Sequence, residues 1–134
     1  MKKTIEEVRD SFEASPFFSH IGFEIIHFEE GNVLLNLPIQ EKLFNVNGTL
    51  HGGVHATMLD LIIGMAIRST TKTRCTTMNL NINYLAPSAG GSVTAKGRIL
   101  QQGYRIVTAE GELYDGEGTM LAKGIGTYKL IRDE

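Results

Sequence analysis

The chain has 134 residues, a formal charge of −2, 42% hydrophobic residues and 21% charged residues. Those values fit one globular domain, so residues 1–134 are read as a single unit with a helical segment over 1–16 at its start. The Lys and Arg residues are scattered, which leaves no nucleic-acid footprint. The lone cysteine, Cys75, excludes an internal disulfide and a cysteine-based metal site and reads as inert. Met1-Lys2-Lys3 turns acidic at Glu6 and Glu7 with no apolar run behind it. The longest apolar stretch, about 54–67, is broken by His55 and Asp60. Neither a signal peptide nor a membrane span is expected, and the cytoplasm is the expected compartment.

Along the chain, Ile5, Val8 and Phe12 recur at helical spacing over 4–14, and Pro16 interrupts the pattern. Phe17, Phe18 and Ile21 are expected to anchor the connection in the core. Residues 22–29 and 32–39 read as strands joined by a turn at Glu30-Gly31-Asn32, and 40–51 as a loop. Residues 52–70 predict one long helix, apolar round most of its circumference and therefore buried on most sides. In 76–85, Met78, Leu80, Ile82 and Tyr84 alternate with Asn79, Asn81 and Asn83, the pattern of a half-buried strand. Three more strands follow at 92–101, 104–115 and 119–130, so a four-stranded meander is expected. Strands and helices do not alternate repeatedly, which excludes a parallel α/β fold. The class is α+β, one antiparallel sheet curled round one apolar helix.

The segment that carries chemistry runs from Asn45 to Asp60. Gly52 and Gly53 stand where the long helix begins, where the first N–H groups lack internal partners and the helix dipole is positive. Such an end can hold an oxygen that gains negative charge during a reaction. It can equally be a flexible turn. Asp60 lies in mid-helix among apolar residues, with Thr57, Ile63, Ala56 and Gly64 at the neighbouring turns and no countercharge. An aspartate there is either satisfied by a backbone amide or a partner subunit, or it is a catalytic carboxylate. At 100° per residue, Gly53, Ala56, Asp60 and Gly64 form one stripe of small residues, with Met58, Ile62 and Met65 opposite. The stripe suits a space kept open for a ligand, or close packing against another subunit. A domain this small has few residues to spare for a deep pocket, so a site completed by a second copy is expected.

The motif Asn-x-x-Gly-Thr-x-His-Gly-Gly at 45–53, with Asp60 seven residues later, resembles that of the PaaI-like hotdog thioesterases, relatives of the phenylacetate-pathway enzyme. The resemblance covers about Pro16 to Leu130. It implies a hotdog fold, a homodimer that often pairs again into a tetramer, and hydrolysis of an acyl-CoA thioester without metal or cofactor. It implies Asp60 as nucleophile or general base, Gly52 N–H as the group that polarises the carbonyl, Asn45 from the partner loop as a positioning group, and His51 at the thioester end. Thr77 falls where relatives carry a Ser or Thr that orients water. Strict alternation places it opposite Met78, although a bulge at the strand start could re-aim it. Gly64 stands where some relatives carry a hydroxyl. Gly53, Ala56 and Gly64 are then expected to line the substrate, and Arg98 and Arg105, flanking Gln102-Gly103, to meet the CoA phosphates.

His20 and His27 read as ordinary surface or half-buried residues, His55 is left open, and no His/Asp/Glu spacing suggests zinc. Three other readings compete: a non-catalytic acyl-CoA binding module, which has no use for Asp60; a hotdog dehydratase, which needs a His–acid pair not found here; and a structural oligomer without ligand.

Overall fold

A computed structural model describes residues 3–132; the basic start at Met1 and Lys2 and the last two residues lie outside them. Helix α1 is Ile5–Glu13, closed at its start by a reciprocal cap. The Glu7 N–H donates to the Thr4 hydroxyl and the Thr4 N–H to the Glu7 carboxylate. Pro16 does not lead into an irregular connection as expected. It opens a second short helix, α2 (Pro16–Ile21), because proline lacks only an N–H that the first helical position does not use. Gly22, at φ 102°, ends α2 in the left-handed conformation, and this delays the first strand. Phe18 is buried as expected, but Phe17 is 58% exposed, a correction to its place in the core.

Six strands form one antiparallel sheet: β1 (Glu24–Glu29), β2 (Asn32–Pro38), β3 (Cys75–Tyr84), β4 (Ser92–Gln102), β5 (Ile106–Tyr114) and β6 (Met120–Leu130). Their order is β1-β2-β4-β5-β6-β3. The expected four-stranded meander is therefore three-stranded. β4, β5 and β6 follow one another, while β3 lies at the far edge beside β6 and β4 closes against β2. The long helix α3 (Gly52–Thr71) crosses between the two halves and delivers the chain to that far edge. A single turn of 3-10 helix, Glu41–Leu43, interrupts the loop before it.

One face of α3 lies on the sheet. Met58, Leu59, Ile62, Ile63, Met65 and Ile67 are all buried against Leu35, Leu37, Val93, Val107, Leu113 and Leu121 from the strands. Gly97 on β4 permits the close approach: a Cβ there would stand 2.7 Å from the Ile62 carbonyl oxygen. α1 packs on α3 and covers part of its other side. The result is the hotdog fold, with one correction. The helix is not enclosed on nearly all sides within one chain, because the face bearing Val54, Ala56, Thr57, Asp60 and Leu61 is only half-buried. Among the described residues, no helix is long and apolar enough to cross a membrane.

Candidate active site

Asp60 is held by two hydroxyls that reach it from the sheet. Thr77 Oγ1 donates to Asp60 Oδ1 at 2.7 Å, and Tyr128 Oη donates to the same oxygen at 2.7 Å. Thr77 and Tyr128 are register partners on β3 and β6, so neighbouring strands place both donors at one level of the helix. The bulge does what alternation alone forbids. Thr77 pairs with Tyr128 and Asn79 with Thr127, so Met78 is the extra residue and Thr77 turns towards α3. Met78, expected on the buried face, is 59% exposed for the same reason. Tyr84, expected beside it, sets its ring against the start of α3 and is also exposed.

Tyr128 escaped the sequence reading. A tyrosine in a strand is ordinary core, but a buried phenol needs a partner and Asp60 lacked one; matching the two was the available signal. Its ring lies over Gly126, where a Cβ would come within 2.6 Å of it. Burial, and donation to the carboxylate, push the phenol well above its ordinary range, so it stays a neutral donor. No hydrogen bond among the described residues engages Asp60 Oδ2. With Oδ1 held twice, Oδ2 is the oxygen left to accept a proton or to attack a carbon.

The start of α3 is a second centre. His51 is its N-cap, and its Nδ1 accepts the Gly53 N–H at 2.7 Å, which leaves the ring proton on Nε2 in the neutral imidazole. The His51 carbonyl accepts from Val54 and His55. The Gly52 N–H takes no partner among the described residues. It is the orphan donor of the helix, and Gly52 has no side chain to shield it. Asn45 is more engaged than its expected positioning role implies. Its Oδ1 accepts from the Asn47 and Thr49 N–H groups and its Nδ2 donates to Thr49 Oγ1, so the side chain orders its own loop and keeps one amide hydrogen.

Asn45, Gly52, His55 and Tyr84 share a recess of about 300 Å³. His55 is buried there, stacked on Tyr84 with ring centroids 5.9 Å apart, and neither of its ring nitrogens has a hydrogen-bond partner among the described residues. Burial lowers its pKa, which keeps it neutral. Asp60 belongs to a different recess, walled by Phe12, Phe17, Phe18, Phe23 and Leu61. Eight residues of helix separate Gly52 from Asp60, about 12 Å along the axis. One chain therefore cannot bring both to a single carbonyl group.

The remaining predicted residues divide. Gly53 is exposed and Ala56 half-buried on the open face of α3. Gly64 is buried, yet a Cβ there would meet nothing within 4 Å. Arg98 is drawn away from the helix: its guanidinium pairs with Glu110 at 2.6 Å in a concavity of the outer sheet face. Arg105 lines a cleft with Lys129 and Arg132 around Tyr104, whose ring carries the Arg132 guanidinium 4.1 Å from its centroid. Neither arginine lines the recess beside Asp60. Cys75 is half-buried, and burial pushes its thiol up to about 11, which suits the inert role read for it.

The sequence pattern of the thioesterase superfamily matches residues 47–122. The Saccharolobus solfataricus protein SSO1253, whose esterase name is itself an inference, is 32% identical over 97% of this chain and 87% of its own length. The medium/long-chain acyl-CoA thioesterase YigI of Escherichia coli is 28% identical over 86% of this chain and 85% of its own. Among solved structures, the PaaI protein of the Escherichia coli phenylacetic acid degradation operon superposes with a TM-score of 0.88 over 95% of this chain and 92% of its own, at 20% identity, a likeness of fold.

Proposed function

Because the chain belongs to the thioesterase superfamily, we propose that it hydrolyses acyl-CoA thioesters to the free acid and CoA in a site shared by two copies. The observation that carries this reading is the Asp60 carboxylate, fixed through Oδ1 by Thr77 and Tyr128 and open at Oδ2 beside an apolar recess. In the proposed reaction the thioester oxygen sits on the Gly52 N–H of one copy, while Asp60 of the other works on the carbonyl carbon. Asp60 Oδ2 either takes the proton of the attacking water or adds to the carbon itself. In both cases the C–S bond breaks and the sulfur leaves as a thiolate that is protonated; direct attack by water gives the free acid at once, whereas addition of Asp60 leaves an acyl–Asp60 anhydride that a water molecule then hydrolyses to the free acid and the restored carboxylate. Thioesters carry a good leaving group, so a carboxylate and one oriented donor suffice without a metal or cofactor.

The 12 Å between Gly52 and Asp60 supports a second copy, and so does the edge of the sheet. β3 has ten residues, pairs among the described residues with β6 alone, and exposes Met78 and Tyr84. An unpaired edge of that length invites a two-fold related β3, which joins the two sheets into one of twelve strands. A further pairing of dimers is compatible with the fold. For CoA itself, the Arg105, Lys129 and Arg132 cleft supplies cations for the phosphates, and Arg98 does not, being tied to Glu110.

The test is thiol release from a panel of aromatic and aliphatic acyl-CoAs, alongside the oxygen esters of the same acids and the molar mass in solution. The reading expects turnover of thioesters well ahead of oxygen esters, and a mass of two or four chains. A monomer that turns over at full rate excludes the shared site. Acyl-CoA binding without any hydrolysis replaces the enzyme with a binding module.

A further inference from the structure

The recess at the start of α3 holds a polar group that the proposed reaction leaves unused. Tyr84 closes the end of β3 and sets its ring against Gly52: its Cε1 and Cζ stand 3.5 Å and 3.9 Å from the place a Cβ on Gly52 would take. Cζ carries the phenol hydroxyl, so that hydroxyl and the orphan Gly52 N–H border one opening of about 300 Å³. The hydroxyl takes no hydrogen bond among the described residues.

The ring is supported from behind. His55, one turn into α3, is buried and stacks on Tyr84 with ring centroids 5.9 Å apart and planes 24° from parallel. Side chains of a helix lean towards its N-terminus, which brings the His55 ring back to the first turn. Both His55 nitrogens are sealed off and take no hydrogen bond among the described residues, so the imidazole is a platform for the phenol and not a donor in the recess. Asn45 and Thr49, also on the wall, are bonded to each other at 2.9 Å within their own loop. The rest of the wall, Leu50, Leu85, Ala86 and Pro87, is apolar. A carbonyl placed there loses its hydration and gains most from donors that the protein fixes in advance.

A carbonyl oxygen has two lone pairs, and the Gly52 N–H takes one of them. When a nucleophile adds to the carbon, the π electron pair moves onto that oxygen, and a second donor about 3 Å away lowers the barrier further. β3 brings Tyr84 to the right neighbour for this. Thr77 and Tyr84 lie near opposite ends of the strand, and Thr77 holds Asp60. An antiparallel two-fold pairing of β3 sets the Tyr84 end of one copy beside the Thr77 end of the other. In that pairing the phenol and the Gly52 N–H of one copy face Asp60 of the other.

We propose that Tyr84 is a further catalytic residue, its hydroxyl donating together with the Gly52 N–H to the thioester oxygen as that oxygen gains charge. The proposal rests on the thioesterase reading with a site shared by two copies. The phenol keeps its proton throughout. As the C–S bond breaks, the electron pair returns from oxygen to carbon, the thiolate leaves, and the two donors release a neutral carbonyl.

The test is Tyr84→Phe, which removes the hydroxyl and keeps the ring on His55. The ring is 55% exposed and its hydroxyl bonds to no described residue, so the variant should fold and melt as the wild type does. With the best acyl-CoA, kcat should fall by roughly a hundredfold, the low end of the effect of losing an oxyanion donor, and KM should stay within a small factor. The second readout uses a dethia acyl-CoA labelled with carbon-13 at the carbonyl, in which CH2 replaces the thioester sulfur so that nothing is cleaved. Its infrared carbonyl stretch should lie lower on the wild type than on the variant, because each donor weakens the C=O bond. Equal stretches on the two proteins overturn the assignment. So do an unchanged kcat, a loss carried by KM alone, and a wild type that does not bind the analogue. Stretches that differ in a protein that never hydrolyses thioesters remove the enzyme reading and leave Tyr84 on the carbonyl. Hydrolysis with equal stretches does the reverse.

Discussion

Replacing Tyr128 by Phe removes one oxygen from the site and nothing else. The ring stays over Gly126 and in the core, while Asp60 Oδ1 loses a donor at 2.7 Å and keeps Thr77 at the same distance. A hydrogen bond to a charged group is worth about 1.5–3 kcal/mol. If that bond aims the carboxylate in the transition state, its loss lowers kcat roughly 10- to 150-fold at about 1.4 kcal/mol per decade. KM stays within a small factor, because Tyr128 is a positioning residue that the account keeps away from substrate. Thr77→Val is expected to act in the same direction. The double variant should lose less than the product of the two single losses, since both hydroxyls serve one oxygen. The assay is steady-state thiol release with the best acyl-CoA, paired with thermal melts. Tm should fall by roughly 5–15 °C if the whole of that bond is lost from the folded state, at about 3–5 °C per kcal/mol for a domain of this size. Unchanged kcat in both single variants, or a loss carried by KM alone, refutes the idea that the two hydroxyls position a working carboxylate.

Three further predictions test other links. Gly97→Ala drives a Cβ to within 2.7 Å of the Ile62 carbonyl oxygen, so α3 must lift off β4, and denaturant titration should register a loss of about 1–3 kcal/mol. His55 has its pKa lowered by burial, so its contribution to stability is full above its unfolded value of about 6.5 and is lost as pH falls through the lower folded value; His55→Phe should melt at nearly the same temperature at pH 8 and resist acid better than the wild type below pH 6. Arg105→Ala should raise KM for acyl-CoA, more so at low salt, and leave the same acyl group on N-acetylcysteamine unaffected, since only the first substrate carries phosphates.

Much of the architecture could be read from periodicity. The apolar circumference of α3 required a covering sheet, and the strand patterns placed six strands within a few residues of their observed limits. Order within the sheet was not legible, because nothing in the pattern of β3 says whether its neighbour is β4 or β6; that is decided by where α3 delivers the chain. The second helix was hidden by Pro16, which reads as a breaker although it opens a helix well. At the site, Asp60 stood out because a mid-helix carboxylate among apolar residues needs a partner. Of its partners, Thr77 was legible through the resemblance, together with the bulge that could re-aim it, whereas Tyr128 was hidden, being far away in sequence and looking like ordinary core. The phenylalanines of the recess were equally hidden: Phe12, Phe17, Phe18 and Phe23 look like core until the fold leaves a space between them.

The central claim is that Asp60 carries the reaction, and Asp60→Asn tests it most directly. The amide keeps the shape and can still accept from Thr77 and Tyr128 through its oxygen, while the charge and the proton acceptor are gone. Measured on the best acyl-CoA, kcat/KM should fall by about a hundredfold or more, the range of a lost acid–base group, with the fold and the oligomer intact. A variant that turns over as fast as the wild type would make Asp60 structural and contradict the account.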